Sequence, residues 1–269
     1  MRRHFLKYMP IAPPSLTYLN SFLLFATAFI AGGLNAVAGG GSFISFPTLI
    51  FTGVSPIAAN ATNNTALWVA SLASAGAYRR DLDVDRRTML ILSSVSLVGG
   101  LLGSILLLYT SGDVFKKLIP YLLLLATIVF IFGESFKQWL QSFDRADSSK
   151  SLPLVYLVII QLVVAIYGGF FGAGIGILML ASLTFFNIKN IHAMNALKTW
   201  LGTCINGIAI IPFLFAGIIA WHQTIVMAIG GALGGYFIAN FARQIPSQII
   251  RRFISIVAIS MTTYFFIHG

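Results

Sequence analysis

Lys198 is the one full charge well inside an apolar run of this chain, and polar residues recur around it at helical spacing: His192, Asn195, Thr199, Gly202 and Asn206. Residues three and four apart share a helix face, so this stretch gathers an ammonium and several hydrogen-bonding groups on one side. In an earlier apolar run, Asn60, Asn63 and Asn64 stand at i, i+3 and i+4, again on one face. The chemistry such groups support is anion recognition, with amides and hydroxyls donating to oxygens and an ammonium balancing charge. A Lys near mid-depth in a bilayer costs roughly 2.5–3.5 kcal/mol on insertion scales, so it faces a cavity or an anion unless its stem snorkels to an interface. The plainer role of the asparagines is hydrogen bonding between helices, worth about 0.6 kcal/mol each.

Residues equipped for catalysis do not gather in the same way. All seven acidic residues lie in polar loops or at the ends of apolar runs, so no sodium site, proton relay or aspartyl hydrolase is expected inside a span. His4, His192, His222 and His268 are scattered rather than spaced as metal ligands, Cys204 is alone, and Gly-x-Ser-x-Gly does not occur. The expectation is a protein that binds and is not an enzyme, with no cofactor and no metal.

What must position the binding groups is a pair of glycine-rich interruptions. The first is Gly32-Gly33-Leu34-Asn35-Ala36-Val37-Ala38-Gly39-Gly40-Gly41-Ser42, and the second, about 136 residues later, is Gly168-Gly169-Phe170-Phe171-Gly172-Ala173-Gly174-Ile175-Gly176. Each follows a long apolar run and precedes a short one. Non-helical backbone at membrane depth persists only where protein or a polar cavity covers it. Breaks at matching places in two halves mark a transporter binding site, and the helix starts at Ser42 and Gly176 offer free N–H groups and the positive dipole end to an anion. Gly99–Gly103 and Gly230–Gly234 fit close helix packing of the small-xxx-small kind instead.

Composition places these features in a bilayer. The chain has 269 residues, of which 58% are hydrophobic and 9% charged, with a mean hydropathy of +0.89; soluble domains carry roughly 25% charged residues. The formal charge of +10 sits in short loops between apolar runs, where it orients a membrane protein, so nucleic acid is not an expected partner. Apolar runs lie at about 16–38, 42–52, 58–78, 88–110, 114–134, 153–174, 176–187, 191–217, 220–241 and 247–267. Eight are long enough to span, and those at 42–52 and 176–187 suit half-helices. The basic residues before the first run resemble a signal peptide, but that run is too long and lacks a clear cleavage site, so it is read as a retained helix.

The expected fold is all-α: one membrane domain over 1–269, a polytopic transmembrane bundle of two homologous repeats, each with a Gly-rich broken or re-entrant helix. Repeat one covers about 16–134, a cytoplasmic linker about 135–152 and repeat two about 153–267. Gly99–Gly103 corresponds to Gly230–Gly234, Lys116-Lys117 to Arg251-Arg252, and Asn60–Asn64 to His192–Lys198, at offsets of 131 to 136 residues. Two topologies remain open. Re-entrant short runs give eight spans, cytoplasmic termini and ten basic residues inside against six. Crossing short runs give ten spans, inverted halves and eleven against five. Both put the Arg79–Arg87 and 135–152 loops in the cytoplasm.

Asn35-Ala36-Val37-Ala38-Gly39-Gly40-Gly41-Ser42-Phe43-Ile44, Pro47 and Ala61-Thr62-Asn63-Asn64 resemble the first signature of the TauE/SafE sulfite exporter family, also called the 4-toluene sulfonate uptake permease family. The second glycine-rich turn and Lys198-Thr199 are similar to that family's second signature, and the resemblance covers nearly the whole chain. Asn35 stands where members often have Asp, Asn64 where many have Lys, and Ile175 and Ile177 where glycines are common. The resemblance implies a multi-pass permease of the plasma or inner membrane for a small sulfur-containing or organic anion, such as sulfite, a sulfonate or sulfoacetate.

The expected site draws on Asn35, Gly39, Gly40, Gly41, Ser42, Asn60, Asn63 and Asn64 from the first half, and Gly172, Gly174, Gly176, His192, Asn195, Lys198, Thr199 and Asn206 from the second. The expected partners are a small anionic substrate and the lipid bilayer; oligomeric state stays open, a homodimer being one option. A passive anion channel and a non-transporting scaffold subunit are the alternative functions.

Overall fold

The computed structural model describes residues 17–37, 39–77, 82, 84–144, 154–183, 191–242 and 247–268. They form ten helices: α1 (Tyr18–Val37), α2 (Ser42–Phe51), α3 (Pro56–Ala77), α4 (Arg86–Tyr109), α5 (Gly112–Asp144), α6 (Leu154–Phe170), α7 (Ile175–Leu183), α8 (Ile191–Ala216), α9 (Trp221–Ala242) and α10 (Ser247–His268). No strand occurs among the described residues. The chain is all-α.

Among the described residues, four helices are long and apolar enough to cross a membrane, at Tyr18–Asn35, Arg86–Tyr109, Gly112–Phe132 and Ala193–Ala216. Eight such runs were expected from hydropathy. The difference at α3 comes from Asn60, Thr62, Asn63, Asn64 and Thr65, all buried polar residues that lower its apolarity, and α6 has only 17 residues. Helix α5 runs 33 residues, past the apolar stretch and into the polar connection expected from 135, because Glu134 to Asp144 contain no Gly or Pro to stop it. The rest of that connection, 145–153 with Arg145, Asp147 and Lys150, lies outside the described residues, as do Arg79, Arg80, Asp81 and Asp83.

Helix ends follow local chemistry. Asp85 caps α4, its Oδ2 accepting from the Thr88 N–H at 3.0 Å, which satisfies one of the orphan donors at a helix start. Large apolar side chains such as Tyr18, Phe22, Phe132 and Phe215 are exposed on the outside, as a lipid-facing surface requires. Phe43, Phe46, Phe115, Phe130 and Phe213 are fully buried.

Small residues set the helix pairing. α1 packs along α9, and α6 packs along α4; these are the two most extensive contacts. A Cβ on Gly32 would overlap the carbonyl of Gly231, and one on Gly234 would overlap that of Phe29. At the other pair, a Cβ on Gly169 would overlap the Gly100 carbonyl and one on Gly103 that of Ile166. Only glycine permits this approach, so Gly99–Gly103 and Gly230–Gly234 work as packing residues. α9 also packs on α3 and α4 on α8, while α3 crosses α8 and α5 lies against α10. Thr127 and Thr262 share a 3.0 Å hydrogen bond across that last pair.

Candidate functional site

The two interruptions meet in space. α1 ends at Val37 and α2 restarts at Ser42, with Gly39 at φ 67 between them; α6 ends at Phe170 and α7 restarts at Ile175, with Gly172 at φ 78 and Gly174 at φ 74. These left-handed values are open to glycine at little cost. Gly39 and Gly176 lie against one another, and around them is a cavity of about 80 Å³. α3 and α8 supply its other walls.

The first break is closed from within. Asn35 Oδ1 accepts from the backbone N–H of Gly40 at 3.0 Å and of Gly41 at 2.8 Å, and the Gly39 N–H donates to Leu34 O. Asn63 then ties α3 to the start of α2: its Nδ2 donates to Ser42 Oγ at 3.2 Å, and its Oδ1 accepts from Ser45 Oγ at 2.6 Å. The N–H groups of Gly40 and Gly41 are therefore occupied, because a short amide on the preceding helix reaches both, while that of Ser42, where free donors were expected, has no partner among the described residues.

The second break is closed on the opposite polarity. Tyr167 Oη donates to Ala173 O at 2.8 Å, so a carbonyl is satisfied. Phe171 stands at the Asn35 offset and is buried, packing edge-on against Phe46 at 5.3 Å. It offers no acceptor. Ile175, Ile177 and Leu178 N–H groups donate within the turn, whereas those of Gly174 and Gly176 have no partner among the described residues. Such orphan donors at a helix start need a ligand or water.

Lys198 faces this end of the cavity. It is 5% exposed, has no hydrogen bond or ion pair among the described residues, and its Cδ lies 3.7 Å from where a Gly176 Cβ would sit. Its neighbours on the wall are Thr199, Gly202 and Asn206, and among the described residues no carboxylate, imidazole or thiol lines the cavity. Asn64 is buried with its Oδ1 unpartnered. An ammonium out of water without a counter-charge is costly, and an anion in the cavity relieves that cost.

Of the sixteen residues expected at the site, twelve line the cavity: Asn35, Gly39, Gly40, Ser42, Asn63, Asn64, Gly172, Gly174, Gly176, Lys198, Thr199 and Asn206. Gly41 packs instead under α1, where a Cβ would overlap the Ala31 carbonyl. Asn60 turns away, and its Nδ2 donates to Phe170 O at 2.9 Å, tying α3 to the end of α6. Asn195 is off the wall, its carbonyl accepting from Thr199 Oγ1 at 2.8 Å; the side chain of His192 lies outside the described residues. Sequence reasoning missed Leu67, Ser71 and Ser74, which also line the cavity. Extending the Asn63–Asn64 face by helical periodicity would have found them.

The fold and cavity define a multi-pass helical membrane protein with a polar chamber between two interrupted helices. The chain belongs to the sulfite exporter TauE/SafE family, whose family model matches residues 24–265. It is 29% identical over 239 residues to the probable membrane transporter protein ORF9 of Sinorhizobium sp, covering 88% of this chain and 89% of that one. It is 29% identical over 246 residues to a probable membrane transporter protein of Haemophilus influenzae (89% and 92% covered). With the probable membrane transporter protein YfcA of Escherichia coli K12 it shares 27% over 243 residues (89% and 87% covered). No solved structure matches.

Proposed function

We propose that this chain is a secondary permease that moves a small anion, sulfur-containing or organic such as sulfite, a sulfonate or sulfoacetate, through the cavity between the two breaks. The observation that carries this reading is Lys198: a buried ammonium with no counter-charge among the described residues, on the wall of a chamber that none of their carboxylates lines. A group so placed inside a membrane helix marks a substrate path by default.

The reading includes two repeats, each broken once. Its support is the symmetry of the packing. Advancing every helix by five turns the α1–α9 contact into α6–α4 and the α9–α3 contact into α4–α8, and leaves α3–α8 and α5–α10 unchanged. Glycine meets glycine at both of the first pair, Gly32 with Gly231 and Gly169 with Gly100. α2 and α7, at 10 and 9 residues, are about 15 Å long, half of a ~30 Å hydrocarbon core. They suit re-entrant half-helices that meet near the midplane, and rocking of one half against the other about that point would give alternating access.

Flux into proteoliposomes tests the reading. Purified protein should show saturable, gradient-driven uptake of sulfite or a short sulfonate, lost in Lys198→Ala. Flux that rises linearly without saturating favours a passive channel, and wild-type transport by a folded Lys198→Ala protein overturns the role given to the cavity.

A further inference from the structure

We infer that the cavity selects a singly charged anion over a doubly charged one of similar size, with the charged head held at the second break. The inference rests on the permease reading above and names the substrate class of that same site. Three observations carry it.

The first is the polarity of the two breaks. At the first, Asn35 already occupies the N–H groups of Gly40 and Gly41, which leaves the Ser42 N–H as the one donor there without a partner among the described residues. At the second, Tyr167 takes a carbonyl while the N–H groups of Gly174 and Gly176 stay unpartnered among the described residues. Both ends keep a free donor, but only the second has two of them with Lys198 alongside.

The second is the count of charge. Among the described residues Lys198 is the only ionisable side chain on the cavity wall, and it approaches the second break through Gly176. The starts of α2 and α7 both border the cavity, through Ser42 and Gly176, and add only partial charge; at α2 the Asn35 Oδ1 is set against the Gly40 and Gly41 N–H groups. Asn63, Asn64, Ser42, Thr199 and Asn206 are neutral. One full positive charge matches one negative charge, whereas a second would have only helix-end and amide dipoles as partners.

The third is size. A cavity of about 80 Å³ is smaller than the ~150 Å³ cavity that takes up benzene. A sulfonate head with a short tail fits that space. Within the sulfite acid–base pair, the same argument selects hydrogensulfite over the dianion, and among the anions named above it selects a monosulfonate over sulfoacetate, which carries two charges.

The test compares methanesulfonate with sulfate, tetrahedral oxyanions of one and two charges, by competition binding to the purified full-length protein. Methanesulfonate should bind at least about tenfold tighter. Asn64→Lys should then move the ratio toward sulfate by about tenfold, because Asn64 lines the same cavity and is buried there without an Oδ1 partner. Equal or tighter sulfate binding by the wild-type protein overturns the charge selection and leaves the permease reading standing. An unchanged ratio in a monodisperse Asn64→Lys protein also overturns it, since added charge on the wall would then be irrelevant. Failure of every small anion to bind or move sinks the permease reading itself, and this inference with it.

Discussion

Gly39 and Gly176 touch through their backbones: a Cβ on Gly39 would lie 3.3 Å from the Gly176 Cα, and one on Gly176 would lie 3.4 Å from the Gly39 Cα. Two segments about 137 residues apart in sequence therefore meet with no side chain between them. The contact brings the start of α7, the α1–α2 turn and Lys198 around one small space.

That contact separates two kinds of glycine. At Gly176 the added methyl meets only ordinary van der Waals neighbours, so Gly176→Ala should fold with a Tm close to wild type. The methyl would nonetheless stand beside the unpartnered N–H groups and Lys198, and anion affinity should fall about tenfold, roughly 1.4 kcal/mol. At Gly100 the methyl would lie 2.8 Å from the Ile205 carbonyl oxygen, so Gly100→Ala should lower Tm while leaving the affinity of the folded fraction intact. Melting and binding curves on both purified variants check this, and a reversed order would return Gly176 to a packing role.

Lys198 should behave oppositely in stability and in binding. Lys198→Met removes a buried ammonium with no protein partner, so Tm should stay level or rise. Anion affinity should drop about ten- to a hundredfold, the size of a lost charge-assisted hydrogen bond of roughly 1.5–3 kcal/mol. Lys198→Arg should restore only part of the affinity, because a planar fork is a poor substitute for a compact point charge. Isothermal titration alongside thermal melting reads both effects.

Asn35 should act through the backbone it holds. Asn35→Ala orphans the Gly40 and Gly41 N–H groups, and leaving buried donors unsatisfied costs about 1–3 kcal/mol each. Asn35→Asp retains the acceptor and should keep the fold. Its added negative charge on the cavity wall should weaken anion binding, so the two variants divide structural from electrostatic loss. Tm and affinity together make the distinction.

Topology is open to a labelling test. Val84 lies just before the start of α4, beside basic residues expected in the cytoplasm by the positive-inside rule. In a Cys204→Ala background, Val84→Cys should resist membrane-impermeant maleimide in intact cells and react after permeabilisation. Labelling of intact cells would overturn the orientation.

Much of this was legible from the residues because lipid imposes simple rules. Apolar runs marked every helix, and the short runs after Gly39–Gly41 and Gly174 marked α2 and α7. The cavity was legible in outline because Asn63, Asn64 and Lys198 are polar where the bilayer penalises polarity. Spacing could not tell which side of such a face meets the cavity: Asn60 shares a face with Asn63 and Asn64, yet binds the Phe170 carbonyl. Nor could it reveal that Asn35 is turned inward on its own loop, since a side-chain-to-backbone bond depends on a turn that composition does not specify. The length of α5 was hidden for a related reason, as helix continuation past an apolar stretch leaves no hydropathy signal.

The fit of α1 against α9, through Gly32 and Gly231, bears on how the chain is made. Seven helices lie between them in the chain. A ribosome adding about 5–20 residues per second delivers α9 on the order of ten to forty seconds after α1 has entered the bilayer. Throughout that interval the nascent first helix shows lipid a stripe of small residues shaped for a partner not yet synthesised. The insertion machinery must shelter it, and any premature stop before α9 strands it. Such truncations should surface as substrates of membrane proteases rather than as slow transporters.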